Sequence, residues 1–316
     1  MQPVGLYAIL FLVHYQQVAA GAGGTPGIVM QTPSRTPSAV LLILCPDRTG
    51  LVARVSTLLF DHGANILHAD QHQDSEAGLF FMRVEWALDG FDLDRFQAAF
   101  APLASALSMT WRLESSHRPL RMAIFVSAHL HCLADLLFRF RNGEMPCELT
   151  SVISNHADAA ALAAFHDVPF HHVPVTTDSR DEAEAAQLAL LDAQLVDLVV
   201  MARYMRILSG VFIERYPGRI INVHHSFLPA FVGARPYHQA FERGVKLIGA
   251  TSHYATGALD DGPIIEQDVM RISHRDHVAD LVEKGRDLER VVLSRAVKWH
   301  LDHRVLRYGD KTVVFD

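Results

Sequence analysis

The chain has 316 residues, half of them hydrophobic and a fifth charged, with a formal net charge of −7. That length holds one to three domains and a sizeable core, and the negative balance without a long basic run excludes nucleic acid and acidic membrane surfaces as partners. Its three cysteines, Cys45, Cys132 and Cys147, form no CxxC pair, which points to reduced thiols in a cytoplasm rather than to a disulfide framework.

Residues 4–13 are an apolar run followed by small residues at 19–24. The pattern imitates a secretory leader, but no Lys or Arg precedes it and the run is too short to span a bilayer. Residues 21–38 have a Gly/Pro/Thr/Ser linker composition, so residues 1–37 read as a disordered extension and the protein as cytoplasmic.

From residue 38 to 114 the pattern predicts a compact module. A strand at 40–44 ends at Pro46-Asp47. Thr49 can cap a helix through residue 60, with Leu51, Val55, Leu58 and Leu59 at helical spacing. Strands follow at 65–71 and 79–86, then a helix at 92–103 and a strand at 109–113. The order βαββαβ is the ferredoxin-like α+β arrangement. The run CPDRTGLV (45–52), between its first strand and first helix, resembles the opening of ACT domains. The resemblance implies a regulatory ligand or dimer site near Asp47, Gly50 and Asn65, with an amino acid as effector. The alternative stays open: Asp47 and Thr49 only cap the helix and Gly50 allows close packing.

Residues 115–119 are a linker, and from 120 to 316 the grammar is α/β. Strand signals at 121–126, 148–154, 170–175 and 196–202 alternate with helical segments at 131–141, 157–165 and 181–191, which predicts a Rossmann-like, mostly parallel sheet. A helix at 276–300 and a hairpin of 305–308 with 312–315 close the chain. No GxGxxG occurs, so no dinucleotide cofactor is signalled.

Ligands bind outside the carboxyl ends of such strands, and there the chain places INVHHS (221–226). Asn222 and His224, two apart on an extended segment, project from one face. Asn can hold an oxyanion without titrating, and His can donate a proton. A second strand at 247–254 delivers His253, and the following loop delivers Asp260, whose carboxyl desolvation is expected to raise. A donor, an imidazole and a carboxylate without a Ser or Cys nucleophile suggest direct attack on an activated acyl group.

NVHHSFLPAF (222–231) with GATSHYATGALDDGPII (249–265) closely resembles the formyltransferase family that handles 10-formyltetrahydrofolate. The match is closer still to a member that carries an ACT module in front, through HCLADLL (131–137), FHHVPV (170–175), ARYMRILS (202–209) and AVKWHLDHRV (296–305). The resemblance implies the formyltransferase fold and hydrolysis of 10-formyltetrahydrofolate to formate and tetrahydrofolate, feeding purine synthesis. It puts the catalytic Asn, His and Asp on Asn222, His224 and Asp260, and the folate pocket on the backbone of Met205, Arg206, Ile207 and Leu208, with Gly257 and Ala258 in the loop. His225 and His253 would orient Asp260 or the attacking water, and Arg235 and Tyr237 would lie near the folate tail or fix the long loop. It also implies a homo-oligomer and no cofactor beyond the folate substrate.

Formyl transfer to a small amine is the nearest rival. A phosphorylated acceptor such as glycinamide ribonucleotide favours a glycine-rich turn after the first strand of the α/β part. Here that turn is SAHLHCL (127–133), without glycine, and water suits it better. Nineteen histidines invite a metal hydrolase, but no HExxH or Cys/His ligand spacing appears, so no metal is expected. Cys132 at a helix start reads as a buried thiol rather than a nucleophile.

Overall fold

The computed structural model describes residues 36–176, 178–230 and 235–316. The expected extension, residues 1–37, lies outside them except for its last two positions.

The first module contains β1 (Ser38–Pro46), α1 (Leu51–Asp61), β2 (Asn65–Asp74), β3 (Leu79–Ala87), α2 (Leu93–Ala106) and β4 (Thr110–Ser115). Its strands form one antiparallel sheet in the order β2-β3-β1-β4. Leu41, Ile43, Met82, Val84 and Trp86 pack against Val55, Leu59, Phe96 and Phe100 of the helices. The opposite face of the sheet also has a partner: Val40, Leu42 and Phe81 cluster with Leu306 and Phe315 from the end of the chain.

Two local expectations are corrected. α1 is not capped by Thr49. Its N-cap is Gly50 at φ 90°, without a side-chain cap, a conformation in which only glycine is unstrained. The trio Asp47, Gly50 and Asn65 does not form one site within the chain. Asp47 follows the end of β1 paired with Leu79, and accepts from Gln73 Nε2 at 2.6 Å. Asn65 pairs with Ala87, which pairs with Ser38 at the other end of β1. α1 runs back along the sheet, and the nine residues of β1 separate the two positions by about 30 Å at strand rise.

The second part contains β5 (Leu120–Val126), α3 (His131–Arg141), β6 (Cys147–Ser154), a 3-10 turn with α4 (Ala160–Phe165), β7 (Phe170–His172), α5 (Arg180–Ala193), β8 (Leu198–Met201), α6 (Gly210–Arg215), β9 (Ile220–His224), α7 (Pro236–Arg243), β10 (Leu247–Tyr254), β11 (Ile264–Arg271), α8 (Val278–Leu301) and the hairpin β12 (Val305–Tyr308) with β13 (Lys311–Val314). Seven strands form one sheet ordered β11-β10-β9-β8-β5-β6-β7. It is parallel from β7 through β9 and antiparallel at β10 and β11. β7 is shorter than the apolar run predicts, and α6 and α7 are helices where the sequence reading placed none.

The central strands are apolar on both faces because helices cover both. Met122, Ile124, Val126, Ile221 and Val223 pack towards α3 and α8, through Leu133, Leu137, Leu293 and Val297. Ala123, Phe125, Val199 and Ile220 pack towards α5 and α6, through Leu191 and Phe212.

Candidate active site

β9 alternates as period two requires: Ile221 and Val223 enter the α8 side of the core, while Ile220 belongs to the opposite face. Asn222 and His224 follow Ile220 on that opposite face, at the carboxyl end of a parallel strand. Antiparallel pairing brings β10 alongside, with Asn222 opposite His253 and His224 opposite Thr251.

His253 is 2 % exposed. Its Nδ1 lies 3.0 Å from the Tyr254 carbonyl oxygen, an acceptor only, so Nδ1 carries the hydrogen and Nε2 offers a lone pair. Burial moves the His253 pKa down, against the Tyr254 bond and the charge of Asp260. Asn222 Nδ2 donates to that lone pair at 3.2 Å. The bond sets the amide orientation and leaves the second N–H of Asn222 for another acceptor. His253 therefore orients Asn222 rather than Asp260, from which its Nε2 stands 3.8 Å away.

Asp260 sits in the turn between β10 and β11 at φ 55°. Gly262 permits the turn: a Cβ there would stand 1.7 Å from the Tyr254 carbonyl oxygen. The turn carries Asp260 Oδ2 to within 3.2 Å of His224 Nδ1. The expected rise in the Asp260 pKa is overturned. Burial does push it up, but the hydrogen bond from His224 and the imidazole charge outweigh that and hold the carboxyl below its ordinary value. With Nδ1–H given to Asp260, His224 Nε2 is the free end of the ring, and it is buried without a hydrogen-bond partner. A buried polar atom left unpartnered at a cavity wall is a place for a ligand atom.

Asn222, His224 and Asp260 line one cavity of about 540 Å³, a size suited to a small organic ligand. Met205, Arg206, Ile207 and Leu208 line it too, as do Gly257, Ala258, His225 and His253. Met205 and Ile207 are exposed apolar side chains, 55 % and 61 % accessible. Burial, aided by Arg203, pushes the His225 pKa down to about 4, so this imidazole is neutral at neutral pH.

Several working residues escaped the sequence reading. Ser127, in the turn after β5, donates to Asn155 Oδ1 at 2.7 Å and accepts from Met205 N at 3.0 Å. The glycine-free turn thus anchors the Met205 wall. Arg203, just past β8, is buried at 8 % exposure with φ 65°, a backbone state costing a non-glycine residue about 1–3 kcal/mol. Its Nε lies 3.3 Å from Glu289 Oε2. Glu289, 1 % exposed on α8, also binds His131 Nε2 at 2.7 Å and accepts from Tyr237 Oη at 2.8 Å. Tyr237 on α7 is thereby tied to α8, while Arg235 is the N-cap of α7 and lines the cavity. A charged residue ending an apolar strand, and a Glu on the buried stripe of a helix, were the available signals.

His131, Cys132 and Glu289 bring one ligand atom each within 4.8 Å of one another, a grouping invisible in the sequence spacing. Arg203 already places a permanent cation against that carboxylate, and burial drives the Cys132 thiol well up. Both disfavour a metal ion there.

Comparison with known proteins matches residues 120–297 to the formyl transferase family and residues 39–86 to the ACT domain. The chain is 53 % identical to the formyltetrahydrofolate deformylase of Synechocystis sp., over 88 % of this chain and 98 % of that one, and 50 % identical to that of Bacillus subtilis, over 87 % and 93 %. The crystal structure of a formyltetrahydrofolate deformylase from Pseudomonas syringae pv. tomato superposes with a TM-score of 0.87 at 49 % identity, covering 90 % of this chain and 96 % of that one. Glycinamide ribonucleotide transformylase 1 from Symbiobacterium toebii superposes with a TM-score of 0.60 at 34 % identity, covering 63 % of this chain and 95 % of that one.

Proposed function

The chain belongs to the formyltetrahydrofolate deformylase family, and from that premise we propose that it hydrolyses 10-formyltetrahydrofolate to formate and tetrahydrofolate at Asn222, His224 and Asp260. The observation that carries the mechanism is the convergence on one cavity of the Asn222 amide and the unpartnered His224 Nε2, with an ionised Asp260 beside them.

The pterin lies along the backbone of residues 205–208, with Gly257 and Ala258 opposite. The formyl oxygen accepts from the second N–H of Asn222 and from a proton on His224 Nε2. Asp260 accepts a proton from water as the water oxygen bonds to the formyl carbon. The oxyanion so formed meets donors already in place, which is where such sites lower barriers most. The carbon–N10 bond then breaks, N10 takes the proton that passed through Asp260, and the formic acid so released passes its remaining proton to solvent and leaves as formate. A carboxyl with a lowered pKa is ionised at neutral pH and gives its proton up readily to the departing amine.

The finer reading includes assembly and control. β2 is the edge of its sheet and is exposed over almost its whole length, Ile66 and Leu67 included. Such an edge favours pairing with a second copy, in line with a homo-oligomer. An amino-acid effector would bind at this module. Among the described residues no helix is long and apolar enough to cross a membrane.

Incubation with 10-formyltetrahydrofolate and no amine is the test. Stoichiometric formate and tetrahydrofolate are expected. Turnover that starts only when an amine acceptor is added would replace hydrolysis by transfer.

A further inference from the structure

Arg203 is the buried cation of the cavity that holds Asn222, His224 and Asp260; Arg206 and Arg235, which line the same cavity, are exposed. Among the described residues its Nε and Nη1 have no hydrogen-bond partner. Glu289 stands 3.3 Å from Nε, but its two oxygens already serve His131 and Tyr237. A guanidinium withdrawn from water, unsatisfied in its donors and held in a left-handed backbone state is arranged for a ligand rather than for packing.

We propose that Arg203 is an anion subsite of the catalytic cavity and that it takes the product formate. This rests on the hydrolytic reading above and adds to it the place where the cleaved one-carbon unit goes. The planar guanidinium matches a carboxylate, which no other buried group on this wall does. His225, beside Arg203, is neutral and can complete the site as a single donor without competing for the charge. Asp260, ionised, lines the same cavity, so a formate ion born next to it is repelled from the carboxylate and drawn to the cation.

The neutral substrate formyl group has no such preference. Its oxygen is served by Asn222 and His224, and only after the carbon–nitrogen bond breaks does the one-carbon fragment acquire the charge that Arg203 recognises. The subsite is thus selective for product, and it separates formate from N10 before the reverse condensation can occur. A folate-tail carboxylate is the other source of the same chemistry. The exposed Arg206 and Arg235 are the cations placed for a group that extends towards solvent.

The test titrates ¹³C-formate into folate-free protein and reads its line broadening, for the wild type, Arg203→Met and Arg203→Lys. Saturable formate binding is expected in the wild type, displaced by acetate and not by formamide, the neutral isostere. Arg203→Met is expected to weaken it at least tenfold and Arg203→Lys only a few-fold, with product inhibition of turnover by formate weakening in parallel. No saturable binding in the wild type, displacement by formamide as readily as by acetate, or equal binding by a folded Arg203→Met variant overturns the proposal. Formate blocked by folate but not by tail-less pteroate would give Arg203 to the folate tail and overturn it as well. If Arg203→Met does not fold, Arg203→Lys decides: formate affinity equal to that of the wild type, in place of the few-fold loss, overturns the proposal. Because binding is read without turnover, loss of the hydrolytic reading shows as absent formate release and stays separate from loss of the subsite.

Discussion

Asn222 and His253 face each other across the pairing of β9 with β10, with the amide nitrogen 3.2 Å from a ring nitrogen that can only accept. A residue that cannot titrate is thereby oriented by one that burial keeps neutral, and the Tyr254 carbonyl fixes the tautomer behind it.

Asn222→Ala removes an oxyanion donor and is expected to lower kcat by ~10²–10³ while the fold persists. His253→Ala leaves the amide unoriented and is expected to cost less. The double variant should be no worse than Asn222→Ala alone, because the two act as one unit. Acceptor-free formate release measures all three, and additive losses would show that His253 has a separate job.

The Asp260 carboxyl is expected to titrate below about 3.9, its ordinary value, in a ¹³C-carboxyl titration. Its folded pKa is depressed, so the stabilisation it contributes is present above the unfolded value and is lost as pH falls through the folded one. His224→Gln removes the hydrogen bond that opposes burial, and the midpoint should move up. A wild-type midpoint above 5 would contradict this electrostatic account.

Glu289→Leu strands Arg203 as a buried charge and is expected to cost about 3–5 kcal/mol. Gly285→Ala tests the same cluster from the other side, since a Cβ there would stand 1.9 Å from Tyr237 Oη. Displacing the ring should cost about 1–3 kcal/mol, and Tyr237→Phe, which removes a hydrogen bond to a buried carboxylate, about 1.5–3 kcal/mol. Guanidinium unfolding midpoints measure each, and a neutral Gly285→Ala would mean that Tyr237 moves freely.

Near the end of α8, His300 is held down to a pKa of about 3 and His303 to about 4, first by burial and then by positive neighbours. His300 faces Arg112, Arg307 and His303. His303 faces Arg112 and Arg83, with Asp302 and Glu85 in partial opposition. Tyr254 Oη lies 2.7 Å from His300 Nδ1, within hydrogen-bond distance of the neutral ring. Between those values and the unfolded value near 6.5 the unfolded chain binds more protons, so stability should be full above about pH 6.5 and fall towards pH 4. Urea midpoints across that range are the measurement. His300→Gln should flatten the slope, and a midpoint independent of pH would refute the assignment.

Most elements were legible because their signals are local. β10 and β12 have the limits that apolar periodicity predicts, and NVHH could be placed at a strand end because alternation and chain order suffice for that. α6 and α7 escaped because each is under three turns long and holds its place through tertiary contacts such as Phe212 in the core and Tyr237 on Glu289.

The sequence by itself determined the residue types at the site, the face shared by Asn222 and His224, and the family that pairs them with Asp260. It could not determine how those groups are charged or what holds them. The direction of the Asp260 shift depends on a 3.2 Å approach by His224, and the orientation of Asn222 depends on a neighbouring strand. Arg203 acquires its meaning only when α8 lays Glu289 against it. Burial and charge act through space between segments far apart in the chain, and only the folded structure sets those distances.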